Sequence, residues 1–262
     1  MRLLLAAITC EKGDVAGNLA RHLEVIEEAR VAGCSLAVFP EMSLTGSVDP
    51  IRRRQHAIPL EHDAIAALSA AATAAEVDAV VGIGERSGDD LYISQLHLHG
   101  GAVAGVQRKR RLGEGEEGFA VSTSTARCSC DDVPFGIVIC AESQVDRTWE
   151  ASSSAGERLV CLCSAPGLDE RCTDEATWRT GFDWWGTAGL ADARRQAKRL
   201  GVWVAMATQA GSTVDEDFPG IAALIDPAGE IVDRLPDWRP GTLVAEIPTS
   251  VRTNRRIATE SP

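Results

Sequence analysis

No stretch of this 262-residue chain approaches the roughly 20 consecutive apolar residues that a membrane-spanning helix requires. No segment rich in Pro, Gly or Ser has the character of an interdomain linker, and nothing in the composition points to disorder. The expectation is therefore one domain over residues 1–262, with 251–262 as an extended tail. Basic residues are also in deficit: 26 Lys and Arg against 38 Asp and Glu leave a formal charge of −12. Proteins that hold nucleic acid neutralise phosphates with basic surfaces, so this balance argues against such a partner. The clusters Arg52-Arg53-Arg54, Arg108-Lys109-Arg110-Arg111 and Arg255-Arg256 read first as solvated faces.

The eight cysteines lack the spacing of a metal site. Their close pairs, Cys128/Cys130 and Cys161/Cys163, are C-x-C rather than C-x-x-C, and no histidine stands near them at a zinc spacing. A disulfide framework would require secretion. The opening Met1-Arg2-Leu3-Leu4-Leu5-Ala6-Ala7-Ile8-Thr9-Cys10 resembles a lipoprotein signal only superficially. Its apolar run is short, one positive charge precedes it, and Thr9 is a poor residue before a cleavage site. A buried first strand in a soluble, cytoplasmic protein is the better reading. The thiols other than Cys140 are then expected to be structural. His97 and His99 face one way on a strand, but no third ligand accompanies them; they are expected to be surface histidines, with no metal bound.

What is present alternates regularly. A strand at the start is followed by an amphipathic helix over Asn18–Ala32, stopped by Gly33, then by the strand Leu36–Phe39. A second helix over Ala64–Ala75 and a strand over Ala79–Gly84 complete an α/β opening. Leu91–His97 and Ala102–Arg108 read as a hairpin, so the sheet is mixed. The alternation resumes with a strand ending at Ile139, a helix over Gln144–Ser154, the strand Leu159–Cys163, a helix over Leu190–Leu200 and the strand Val202–Ala207. Two last strands, Ile221–Ile225 and Ile231–Leu235, flank the turn Asp226-Pro227-Ala228-Gly229. Two strand–helix halves separated by a hairpin suggest two similar layers facing each other.

Three segments place a reactive group where a strand ends. Phe39-Pro40-Glu41 supplies a carboxylate, Gly105-Val106-Gln107-Arg108-Lys109 an amine, and Gly136-Ile137-Val138-Ile139-Cys140 a thiol. A free thiol has a pKa near 8.5, so at neutral pH it needs a base or a neighbouring positive charge. Glu41 fits the base and Lys109 the charge. The backbone N–H of Ala141, just after the nucleophile, would help hold the developing negative charge, a donor typically worth about 3 kcal/mol of barrier. Each residue alone reads more simply as a cap, a surface lysine or a buried thiol; the strand-end placement of all three favours the chemical reading.

These segments resemble the nitrilase superfamily, or carbon–nitrogen hydrolases, in the family's order: F-P-E, G-x-x-R-K-x-x-L from Gly105 to Leu112, and G-x-x-x-C from Gly136 to Cys140. The likeness spans nearly the whole chain, including Gly82-Ile83-Gly84-Glu85, Leu91-Tyr92 and Asp226-Pro227-Ala228-Gly229-Glu230. It implies a four-layer αββα sandwich of two mixed β-sheets, paired as a homodimer, with no metal or organic cofactor. It implies Glu41, Lys109 and Cys140 as the catalytic residues, acting on a small amide-type substrate and water through a thioester. The family's second glutamate, which positions substrate, matches Glu117 best, with Glu114 and Glu116 close by; a plain acidic loop is the simpler alternative. Ala141 and Glu142 are the further substrate-positioning candidates.

The chain also departs from the pattern. Cys140-Ala141-Glu142 keeps an acid but lacks the usual aromatic residue, and Arg147 stands where a later glutamate is common. Gln196-Ala197-Lys198-Arg199 replaces R-A-x-E, Thr208 replaces an asparagine, and Tyr92-Ile93 replaces Tyr-Asn. Arg147 and Arg199 suggest one rewired salt-bridge region. Trp178, Phe182, Trp184 and Trp185 fall in a region that borders the family's pocket, where they would either bind an apolar acyl group or pack the core. The leading function is an amidase releasing ammonia from a small carboxamide. N-carbamoyl amine hydrolysis and nitrile hydrolysis follow, the latter disfavoured by the missing C-W-E. A non-catalytic scaffold and a thiol redox or metal-storage protein are the alternatives from other classes.

Overall fold

After its first residue, β1 (Arg2–Ala7) is apolar to its end because both of its faces are covered. Leu3 and Leu5 enter the core between two sheets, whereas Leu4 and Ala6 face helices on the other side. The structure, a computed structural model, describes residues 1–168, 171–172, 174–235 and 239–249, the side chains of 178, 181, 182 and 184–186 excepted. Among the described residues no helix is long and apolar enough to cross a membrane.

In the first sheet β1 pairs parallel with β2 (Leu36–Val38), and β2 with β3 (Asp78–Ser87). The hairpin of β4 (Asp90–His99) and β5 (Ala102–Arg108) continues it antiparallel beyond β3. In the second sheet β6 (Cys128–Cys130) pairs antiparallel with β7 (Val133–Ile139), which runs parallel with β8 (Leu159–Ser164) and, beyond it, β9 (Trp203–Thr208). A short ribbon of β10 (Ala210–Ser212) and β11 (Asp217–Pro219) follows β9. The antiparallel strands β12 (Ala222–Ile225) and β13 (Ile231–Arg234) then extend the second sheet at β9. The last strand, β14 (Gly241–Glu246), returns to the first sheet and pairs antiparallel with β1.

One apolar cluster fills the space between the two sheets, taking Leu3 and Leu5 from β1, Ile137 and Ile139 from β7, and Cys161 and Cys163 from β8. A second lies between the first sheet and the helices α1 (Val15–Val31) and α2 (Asp63–Ala75). A third lies between the second sheet and α3 (Asp146–Ser153) with α5 (Leu190–Leu200). The molecule is thus an αββα sandwich of two mixed six-stranded sheets. Each fully buried Leu, Ile or Phe in these layers contributes about 1.5–3 kcal/mol.

Several boundaries differ from the sequence reading for local reasons. α1 starts at Val15 rather than Asn18, because the Asp14 carboxylate caps it by accepting from the Gly17 N–H at 3.0 Å. α3 is shorter than Gln144–Ser154: residues Cys140–Gln144 form a tight 3₁₀ turn before it. Local pattern does not mark β14, since its partner lies at the other end of the chain. The Trp-rich segment is helical, as α4 (Glu175–Trp184) and a π-helical turn over Trp185–Gly189.

The close contact of α3 with β7 explains one glycine of the thiol segment. A Cβ on Gly136 would lie 1.9 Å from the Ser152 carbonyl oxygen, while the Ser152 hydroxyl donates to the Ile137 carbonyl at 2.8 Å. Gly136→Ala is expected to cost about 3 kcal/mol through this overpacking. A urea titration reads it as a lower midpoint at unchanged slope; an unchanged midpoint would show that α3 does not lie this close to β7.

Candidate active site

The parallel strands β2, β7 and β8 all end at one edge of the sandwich, and β5 runs in the same direction as β3 after two antiparallel reversals. Glu41, Lys109, Cys140 and Ala165 follow these strand ends. They meet at a cavity of about 920 Å³, lined by Glu41, Cys140 and Ala165 and floored by the Lys109 contacts described below.

The segment after β2 is held down along β3. The Ser43 and Thr45 hydroxyls accept from the Gly82 and Gly84 N–H groups at 3.1 and 2.8 Å, and the Leu44 N–H donates to the Gly82 carbonyl at 2.8 Å. A Cβ on Gly82 would stand 2.3 Å from the Met42 nitrogen, so only glycine lets this turn cross the strand. Met42 adopts φ 47°, a conformation that L residues enter only when their surroundings enforce it. From α1, His22 stacks on Phe39 with ring centroids 4.3 Å apart and hydrogen-bonds Ser43 at 2.9 Å. Burial pulls His22 down to about 4, so it stays neutral. Behind the loop, the Gln209 amide donates to the Glu41 carbonyl at 3.1 Å.

These contacts leave the Glu41 carboxylate 1% exposed. One oxygen accepts from Lys109 Nζ at 2.7 Å, the other from the Ala165 N–H at 3.1 Å. Lys109 is fully buried, and its ammonium donates a second time to Glu116 at 2.6 Å. Glu116 in turn accepts from the Gly113 N–H at 2.6 Å, which fixes the loop that carries it. Of the glutamates in this acidic run, Glu116 rather than Glu117 meets Lys109. Glu117 is exposed and accepts from the Gly115 N–H, and Glu114 is exposed at the cavity wall. An acidic run cannot reveal which member turns inward; the Gly113–Gly115 turn decides it.

Cys140 opens the 3₁₀ turn at φ 42°. A non-glycine residue in this region stores strain, and such outliers cluster at functional sites. The Glu41 carboxylate, the Lys109 ammonium and the Ala165 N–H all bear on the Cys140 thiol. Burial pushes the thiol up to about 12, the Glu41 charge adds to this, and Lys109 offsets only part of it. Burial likewise raises Glu41 above the ordinary carboxylate range against the pull of Lys109. Burial disfavours the Lys109 ammonium, but Glu41, Cys140 and Glu116 outweigh it and hold the charge. These directions favour the ammonium on Lys109 and the neutral thiol on Cys140.

The remaining sequence candidates divide. Ala141 lines the cavity as the second residue of the 3₁₀ turn, where an N–H has no partner within the turn. Glu142 does not reach the cavity; it is fully buried behind Cys140 and ion-pairs with Arg110 at 2.8 Å. The basic cluster hides Arg110, and no motif marks Ala165 or Gln209. Arg108, in the same cluster as Arg110, pairs with Glu85 and lies 4.0 Å over the Tyr92 ring. His97 is buried rather than on the surface, set edge-on to Phe135, and both His97 and the exposed His99 hydrogen-bond Asp78. Cys10, Cys34, Cys128, Cys130, Cys161 and Cys163 are buried thiols, and Cys172 is half-buried.

Among the departures, Thr208 spends its hydroxyl on the Ile221 backbone, tying β9 to β12. Arg199 joins a network with Glu150, Gln196 and Asp146 between α5 and α3, whereas Arg147 is exposed outside it. The Trp178, Phe182, Trp184 and Trp185 side chains and the 251–262 tail lie outside what the structure describes. Their segment reaches the cavity through Ala188 and Gly189.

Comparison with known proteins agrees with this geometry. An (R)-stereoselective amidase from Pseudomonas sp is 25% identical over 88% of this chain and 80% of its own length. An aliphatic nitrilase from Rhodococcus rhodochrous is 25% identical over 94% of this chain and 75% of its own. The fold matches that of a mutant of the amidase from Nesterenkonia sp. AN1, solved with the acetamide moiety of fluoroacetamide added covalently at its active-site cysteine. The TM-score is 0.79 at 20% identity, covering 95% of this chain and 90% of that one. The profile of the carbon-nitrogen hydrolases matches residues 4–256, and the chain belongs to that family, within the nitrilase superfamily.

Proposed function

We propose that the protein is an amidase that releases ammonia from a small carboxamide through a thioester on Cys140. The observation that carries this reading is a thiol at a strained strand-end position, on the same cavity as a buried carboxylate that shares one ammonium with Glu116. Because the thiol is pushed up to about 12, it does not attack as a preformed thiolate. Its proton passes to Glu41 as sulfur bonds to the amide carbon. Negative charge gathers on the amide oxygen and is met by the Lys109 ammonium and the Ala141 N–H. The tetrahedral adduct collapses with the Glu41 proton leaving on ammonia. A water then gives its proton to Glu41, attacks the thioester carbon, and the thiol is restored with release of the acid.

Charge narrows the substrate. Glu41, Glu114, Glu116, Asp192 and Glu216 line the cavity and outnumber the cations Arg111, Lys109 (on Glu41 and Glu116) and Lys12 (on Glu216), on a chain of net charge −12. Such a field opposes an incoming anion, more so at low salt. The test is ammonia release over matched neutral, amine-bearing and carboxylate-bearing amides, N-carbamoyl amino acids and nitriles, with hydroxylamine as competitor. Expected are turnover of neutral or amine-bearing amides, slower carboxylate-bearing ones with a gap that narrows in high salt, and hydroxamate formed from the intercepted thioester. Turnover of nitriles alone would make it a nitrilase, and absence of hydroxamate beside rapid ammonia release would overturn the thioester.

A further inference from the structure

We infer that Arg110 and Glu142 form a positioning pair that holds the Cys140 turn in its strained conformation and sets its distance from Lys109. The inference rests on the reading of Cys140 as nucleophile. Neither side chain lies on the cavity wall. Glu142 is fully buried, and its two oxygens are saturated by the segments on either side of the site. One oxygen accepts from the Arg110 backbone N–H at 2.6 Å and from Arg110 Nε at 3.1 Å. The other accepts from Arg110 Nη2 at 2.8 Å and from the N–H of Ile139, the residue before Cys140, at 3.0 Å. The guanidinium extends the clamp into β7 and α3, donating to the Ile137 carbonyl at 3.2 Å and to the Ser152 hydroxyl at 3.1 Å.

Arg110 directly follows Lys109, and Glu142 lies two residues after Cys140. One forked ion pair therefore joins the segment that carries the ammonium to the turn that carries the thiol. A backbone at φ 42° keeps that conformation only where its surroundings over-determine it, and the Ile139 N–H bond fixes the chain just before the strained residue. A buried ion pair is a poor source of net stability compared with apolar side chains of similar volume. The geometry points to orientation of the nucleophile as its contribution, in a chain where the residue between Cys140 and Glu142 is only alanine.

The test compares Glu142→Gln, Arg110→Lys and the double variant Arg110→Met/Glu142→Met with wild type. Measured are kcat and KM on the best amide, the rate of Cys140 alkylation by iodoacetamide, and Tm. Misplacing a reacting group by about 1 Å costs about 10²-fold in rate. Glu142→Gln is expected to lose about that factor in kcat with KM little changed, and its Cys140 alkylation should slow in parallel. Arg110→Lys, which keeps the charge but not the fork, is expected to lose less. The apolar double variant should recover Tm but not kcat or the alkylation rate. Recovery of kcat together with Tm, or wild-type kcat in folded Glu142→Gln, would reduce the pair to a structural role. The alkylation arm needs no turnover, so it separates this outcome from failure of the amidase reading, which Cys140→Ala tests independently.

Discussion

Cys140→Ala is expected to bring ammonia release down to background, a fall on the order of 10⁴-fold or more. In the proposed mechanism every covalent step passes through the sulfur, and a methyl group in its place has no electron pair to offer. The fold should survive, because the side chain is small and only partly buried, and the Glu41–Lys109–Glu116 cluster does not depend on it. A Tm close to wild type beside lost activity would identify the thiol as chemical rather than structural; retained activity would sink the mechanism. The pH profile of the wild type supplies a companion reading. As the proposed base, Glu41 must be ionised to take the thiol proton, so kcat/KM is expected to fall as pH drops through its pKa. Burial raises that pKa, which places the acid limb above the ordinary glutamate value of about 4.3.

Lys109→Met is expected to lose activity and stability together. The substitution keeps much of the volume but leaves Glu41 and Glu116 facing one another without the ammonium that both contact, at 2.7 and 2.6 Å. Breaking a buried ion pair from one side costs about 3–5 kcal/mol, because the remaining charge is stranded away from water. One carboxyl escapes part of this by binding a proton. If that carboxyl is Glu41, the base is neutralised at the pH where it should work. Loss of the charge that meets the amide oxygen adds a further fall of about 10²–10³-fold in kcat. Urea unfolding reads the stability arm, and adding Glu116→Gln to Lys109→Met should return part of the stability and none of the activity. Unchanged urea stability in Lys109→Met would mean that the two carboxylates do not depend on this lysine.

Much of the αββα frame is legible from local pattern. The unbroken apolar run of β1, the 3.6-residue spacing of Leu19, Leu23 and Ile26, and the glycine that ends α1 each encode their element within a few residues. The same holds for the reactive groups. Glu41, Lys109 and Cys140 stand directly after strands, and strands that run the same way in layered sheets deliver their ends to one edge. β14 escapes this reasoning because its register is chosen by β1, whose pairing of Arg2 with Glu246 spans almost the whole chain. β6 escapes it because three residues carry too little alternation to mark a strand.

The sequence by itself therefore determined the family chemistry: a thiol, a carboxylate and an amine at strand ends, in an order shared with carbon–nitrogen hydrolases. Tertiary structure alone decided which neighbours those groups would have. It turned Glu116 rather than Glu117 toward the lysine, drew Glu142 behind the nucleophile onto Arg110, and buried His97 against Phe135. The physical reason is common to all three. Adjacent polar residues have nearly the same local propensity, and what separates them is the direction in which a turn or a pleat aims each side chain. That direction is set by contacts such as Gly113 on Glu116 and Ile139 on Glu142, which join residues only after the chain has folded.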